Sequence, residues 1–275
     1  VDRGIEGLAD GAWRRYAERI AERARGKDHL QAVARFTEVV DGRRRIVAGP
    51  PLVVPFDRLP ELEEVDRDAL VRHVLGAYRE SVRDDVRVLL ERYTYVDAAL
   101  KVVGVGSVGT RCVIVLLQGV DDRDLLFLQV KQALPSVLEE HLGPSRYAHP
   151  GQRVVAGQRL MQSASDAFLG WADGPAGTHY YWRQLRDWKG SVDVAKLEGE
   201  MLELYGAVCG WTLAKAHARS GDRVAIAAYL GSSERFEEAL ADYAVAYADR
   251  ADADHAALVA AVRFGRLAAA DEASA

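Results

Sequence analysis

The segment Gly104-Val105-Gly106-Ser107-Val108-Gly109 and the lysine at position 131 are the residues whose types and spacing could do chemistry. Glycine has no Cβ, so a chain with glycine at every second or third place can bring its backbone N–H groups against a phosphate. An ammonium on a nearby strand would add the full charge that backbone dipoles lack. The chemistry implied is the holding of phosphate groups, with Gly104, Gly106, Ser107, Gly109 and Lys131 as the contacts. Lys131 is one of only six lysines among 36 basic residues, and Lys101, just ahead of the loop, competes with it. The plain alternative is an ordinary tight hairpin with Lys131 as the solubilising charge of an edge strand.

What surrounds the glycines sorts the phosphate-binding devices that share their pattern. A dinucleotide loop is followed at once by a helix, whose N-terminus holds the pyrophosphate. Here the β-branched run Cys112-Val113-Ile114-Val115-Leu116-Leu117 follows instead. A P-loop carries lysine and then serine or threonine after its last glycine, where this chain has Thr110 and Arg111. The strand–loop–strand glycine loop of kinases remains, with a third strand ending in Leu128-Gln129-Val130-Lys131 to place the ammonium beside the α and β phosphates.

Such a lysine is held by an acid; Glu139 and Glu140 are the nearest candidates, with solvated helix or loop ends as their alternative, and Asp166 is another. The run Tyr180-Tyr181-Trp182-Arg183-Gln184-Leu185 suits a strand feeding an adenine-reading hinge, with Trp182 and Trp188 as packing residues. Phosphoryl transfer also needs an aspartate to orient the nucleophile, and downstream asparagine and aspartate for Mg²⁺. Asp222, after Gly221, is the candidate catalytic aspartate or else a helix cap, and the chain contains no asparagine at all.

Several elements must position these groups. Spacing predicts surface helices over 12–25 and 28–36, a hairpin turning at Asp41-Gly42, and a helix over 66–93. Three antiparallel strands follow, at 100–103, 112–117 and 125–130, then a helix over 152–165 and a strand pair at 167–171 and 179–185. Beyond about 194 the pattern is helical, over 197–219, 224–230, 233–249 and 254–263, with Ser233 as a helix cap. The fold class is therefore α+β: a helical region with a short hairpin over 1–95, a β-rich region over 96–190 and a helical region over 191–275, as separate regions or one domain.

Composition bounds the rest. A net charge of −5 offers no broad basic field for nucleic acid, and no apolar stretch reaches membrane-spanning length. Cys112 and Cys209 sit in apolar runs without zinc spacing and read as buried free thiols, which suits a reducing cytoplasm. No signal-peptide core opens the chain, so a cytoplasmic protein is expected. Oligomeric state is not readable.

The passage from Lys101 through Gly109 to Arg111 resembles the bacterial domain of unknown function family number 2252. So do Leu126-Phe127-Leu128-Gln129-Val130-Lys131, Gly157-Gln158-Arg159-Leu160-Met161-Gln162, Arg183-Gln184-Leu185-Arg186-Asp187 and Ala216-His217-Ala218-Arg219-Ser220-Gly221-Asp222. The likeness extends through Asp254-His255 over nearly the whole chain. That family distantly resembles the aminoglycoside phosphotransferases and protein kinases, in circularly permuted order. The resemblance implies ATP with Mg²⁺ as cofactor, a nucleotide and a small molecule as ligands, and a kinase-like fold. It also implies second-site or substrate-pocket places for His217, Arg219 and Asp222, with Glu139 and Arg183 as further supporting or substrate-pocket candidates. Family members carry an N-terminal extension with Gly-Asp-x-His-x-x-Asn and Asp-Phe-Asp segments, absent from this chain, which starts Val1-Asp2. A truncated member, binding nucleotide without transferring phosphate, is the expectation; a pseudokinase-like regulator and a ligand-free structural remnant are the alternatives.

Overall fold

A computed structural model of the chain describes residues 36–102, 109–185 and 192–269, together with Gly11, Glu18 and Glu22. The chain divides into two compact units, Val1–Ala216 and His217–Ala275. The helices expected over 12–25 and 28–36 lie almost wholly outside the described residues.

The first unit is built on β-strands. A hairpin of β1 (Thr37–Val40) and β2 (Arg43–Ile46) turns at Asp41 and Gly42, whose φ of 50° and 73° are the left-handed pair such a two-residue turn needs. A six-stranded antiparallel sheet comprises β3 (Val53–Pro55), β4 (Thr94–Lys101), β5 (Cys112–Gln118), β6 (Leu125–Gln132), β7 (Gly170–Asp173) and β8 (His179–Gln184). Its order is β3-β4-β5-β6-β8-β7. Strands β5 and β6 are interior and buried on both faces, which is why they read as unbroken apolar runs rather than alternating ones.

One face of the sheet is covered by α1 (Arg67–Ser81) and α2 (Asp84–Leu90). Asp66 caps α1 by accepting Ala69 N–H at 2.9 Å, and Val71, Leu75 and Tyr78 bury one stripe. Tyr78 stacks on Trp182 at 4.5 Å and donates its hydroxyl to the Phe168 carbonyl at 2.8 Å. The single helix expected over 66–93 is thus two, broken where Val82 and Arg83 turn extended. Val82 and Val86 are both buried, so the apolar periodicity runs through the break and conceals it.

On the opposite face Phe36, Ile46, Ile114, Leu116 and Phe127 form a second core beneath the β1–β2 hairpin. Asp97 fastens that hairpin, accepting Ile46 N–H at 2.9 Å while its own burial holds its carboxyl above the usual range. The short α3 (Glu139–Leu142) and then α4 (Pro150–Met161) follow β6, and α4 packs against β7 and β8.

After α5 (Glu200–Ser220), which runs into the second unit, come α6 (Arg223–Leu230) and α7 (Arg235–Arg263). The two helices expected over 233–249 and 254–263 are one, because no glycine or proline separates them and Arg250 pairs with Asp254 at 3.1 Å across the expected gap. Ser233 does not cap it; the N-cap is Glu234, without a side-chain hydrogen bond. Among the described residues no helix is long and apolar enough to cross a membrane. The architecture is α+β, an antiparallel sheet with helical segments.

Candidate functional site

Strand register gathers the candidate cations. Cys112 on β5 pairs with Lys131 on β6, and Lys131 pairs with Tyr181 on β8. Directly opposed residues point to one face, so these side chains form a row across three strands. The next row on that face holds Gln129, paired with Arg183. Lys101, next to the Leu100–Val113 pair at the end of β4, approaches from the other side with its Nζ 4.9 Å from the Phe36 ring centroid. Gln129 Nε2 meets Cys112 Sγ at 3.5 Å in the middle of the group.

The electrostatics of this end are set by burial against charge. Burial pushes the Cys112 thiol up, although Lys131, Lys101 and Arg183 each pull it down. Tyr181 is raised by burial too, with Arg183 opposing. Arg183 Nε is buried without a hydrogen-bond partner. A buried guanidinium nitrogen lacking an acceptor is costly, and an anion oxygen is the acceptor it suits.

Of the glycine loop, Gly104, Gly106 and Ser107 lie outside the described residues. Gly109, at φ +80°, takes the chain back toward β5 in a conformation that favours glycine. Behind it Gln132 N–H donates to the Arg111 carbonyl at 2.9 Å and Arg111 N–H to Gln132 Oε1 at 3.1 Å, fixing the root of the loop to the end of β6. A strand and not a helix follows, so the dinucleotide alternative fails. The edge-strand account of Lys131 fails as well, because β6 is paired on both sides.

Lys131 has no carboxylate within ion-pair distance among the described residues. Glu139 accepts Ser136 N–H at 3.0 Å and braces the start of its own helix. Asp166 is taken up by Gln184 N–H at 2.7 Å and Phe168 N–H at 2.8 Å. Trp182 is core, and Trp188 lies outside the described residues. His217 and Arg219, near the end of α5, belong to the second unit with Asp222, whose carboxylate accepts Val224 and Ala225 N–H at 2.9 and 3.1 Å and so caps α6. The places of Cys112, Gln129 and Tyr181 around Lys131 were not read from sequence; they depend on register, which apolar runs alone do not reveal.

A cavity of about 260 Å³ lies on the other face, walled by Phe56, Leu70, Val113, Val130 and Trp182. It falls below the roughly 300–1,000 Å³ of small-molecule pockets and belongs to the first core.

No curated protein and no solved structure matches the chain. A family of bacterial sequences does, over residues 5–261, and by that match the chain belongs to the family described as "Uncharacterized protein conserved in bacteria (DUF2252)".

Proposed function

We propose that the Lys131 end of the sheet binds the phosphates of a nucleotide, ATP with Mg²⁺, and that this chain holds the nucleotide without transferring its phosphoryl group. The observation that carries the reading is the register. A glycine-rich connection joins the first two of three successive antiparallel strands, β4, β5 and β6, and the third ends in a lysine with Arg183 one row away. Kinases place a glycine-rich loop over the phosphates and their phosphate-binding lysine on the third strand. A helix, α4, then packs on the following strand pair, and β8 leads out of the sheet where a kinase hinge would begin. These likenesses support a phosphotransferase-like ancestry for the sheet.

Holding without transfer is favoured by two observations. The chain has no asparagine to serve as a metal ligand, and Asp222 is engaged as the cap of α6. Lys131 would meet α- and β-phosphate oxygens, Arg183 would satisfy its open Nε on a phosphate, and backbone N–H groups of the loop would cover the chain of phosphates. Calorimetric titration with Mg-ATP is the test. The wild-type chain should bind one nucleotide, and Lys131→Ala should weaken it by about 1.5–3 kcal/mol, the worth of a charge-assisted hydrogen bond. No binding by the folded wild type, or equal binding by the variant, sinks the proposal.

A further inference from the structure

His149, Asp173 and His179 meet at the β7–β8 edge, on residues the nucleotide reading does not use. Asp173 and His179 are directly paired across the two strands. His149 is the N-cap of α4, its ring fixed by Nδ1 accepting Gln152 N–H at 3.2 Å. Both imidazoles converge on one carboxylate oxygen: His179 Nδ1 lies 2.6 Å and His149 Nε2 3.2 Å from Asp173 Oδ1. The rings stand edge to face, their centroids 4.7 Å apart. One ligand atom from each residue can be chosen so that all three lie within 4.8 Å of one another.

His149 Nε2 is buried and, despite its 3.2 Å approach to Asp173, has no hydrogen bond of proper direction. Its nearest polar neighbour is therefore the Asp173 carboxylate, inside the cluster. The carboxylate of Asp173 is 65% exposed and leaves the outer side open to water.

We propose that His149 Nε2, His179 Nδ1 and the Asp173 carboxylate bind one divalent transition-metal ion of the zinc class, with water in the fourth position. Two imidazole nitrogens and one carboxylate are the donor set of three-ligand zinc sites, whereas Mg²⁺ and Ca²⁺ call for oxygen throughout. Ligands about 2.0–2.1 Å from a tetrahedral zinc stand roughly 3.3 Å apart. His149 Nε2 and Asp173 Oδ1 already stand 3.2 Å apart, and the three chosen atoms all lie within 4.8 Å of one another. Binding through Nε2 shifts the ring proton to Nδ1 and gives up the bond from Gln152 N–H, a small loss beside a metal–nitrogen bond. The site rests on a helix start and a paired hairpin, elements that fix their side chains without the metal.

The test uses the full chain, freed of metal with a chelator and titrated with ZnCl₂ by calorimetry, then with Co²⁺ for the visible absorption of a four-coordinate ion. One ion per chain is expected. Asp173→Asn and His179→Ala should each weaken binding at least about tenfold while the metal-free melting temperature stays near that of the wild type. Asp173→Asn keeps the side chain's shape, so its loss of affinity reads the charge and not the fold. A folded wild type that binds no Zn²⁺ overturns the proposal, and so does unchanged affinity in both variants.

Discussion

Cys112 sits at the centre of three cationic side chains, yet its thiol is harder to ionise than a free one. Lys131, Lys101 and Arg183 favour the thiolate, but the cost of placing a charge where the side chain is buried exceeds their sum. Such a thiol is a packing group and not a nucleophile, because reactivity follows the thiolate. Cys209, on α5, is exposed and not the buried thiol its apolar run suggested, because no side chain of that helix is buried. Titration of the native chain with a thiol-reactive disulfide reagent at neutral pH should therefore show one fast thiol and one at least about tenfold slower. Unfolding should make them alike, and Cys209→Ser should remove the fast phase alone. A native chain in which Cys112 reacts first would mean that charge outweighs burial at this end of the sheet.

Among the elements, the contact between α1 and β7 leaves no room for a side chain at Gly170. A Cβ at Gly170 would come within 2.7 Å of both Ser81 Oγ and Tyr78 Cε2, and Ser81 Oγ accepts Trp171 N–H at 2.7 Å. Gly170→Ala should therefore push α1 off the strand and cost about 1–3 kcal/mol, the usual range for overpacking, measurable in urea melts. A change within error would show that the α1–β7 contact yields freely. Gly170 also shows where sequence reading stops. The strands β5 and β6 were legible as apolar runs and the β1–β2 turn as Asp-Gly, since those signals are local. The start of β7 was placed three residues early, at 167, because Ala167-Phe168-Leu169 is as apolar as a strand. Pairing begins instead at Gly170, the residue that faces α1 without a side chain. The residues proposed to hold phosphate divide in the same way. Lys131 was legible from its place after an apolar run, whereas its neighbours Cys112, Gln129 and Tyr181 follow from cross-strand pairing. The cluster of His149, Asp173 and His179 was invisible for the same reason, since its members come from two strands and a helix start.

Across the whole chain, burial is distributed very unevenly, and local stability should follow it. Strands β5 and β6 pair on both sides and carry fully buried side chains such as Ile114, Leu116, Leu117 and Leu128. Exposing their amides requires opening both neighbouring ladders and uncovering both cores, which amounts to unfolding the sheet. The second unit differs. No side chain of α6 or α7 is buried, and Tyr229, Tyr243 and Val245 are among the exposed apolar residues. Helical hydrogen bonds there are backed by local contacts such as the Tyr243–Tyr247 stack and the Arg250–Asp254 pair, and exposed pairs of this kind contribute only a few tenths of a kcal/mol each. A helix turn in that setting opens without disturbing a core, and amide exchange reports such openings. Hydrogen exchange followed by mass spectrometry should find peptides from 112–118 and 125–132 the slowest in the chain. Those from 223–263 should exchange at least about tenfold faster. Equal or slower exchange over 223–263 would mean that those helices are protected in solution by something that covers their apolar side chains, and the comparison of one protein concentration with another would show whether that cover is a second copy of the chain.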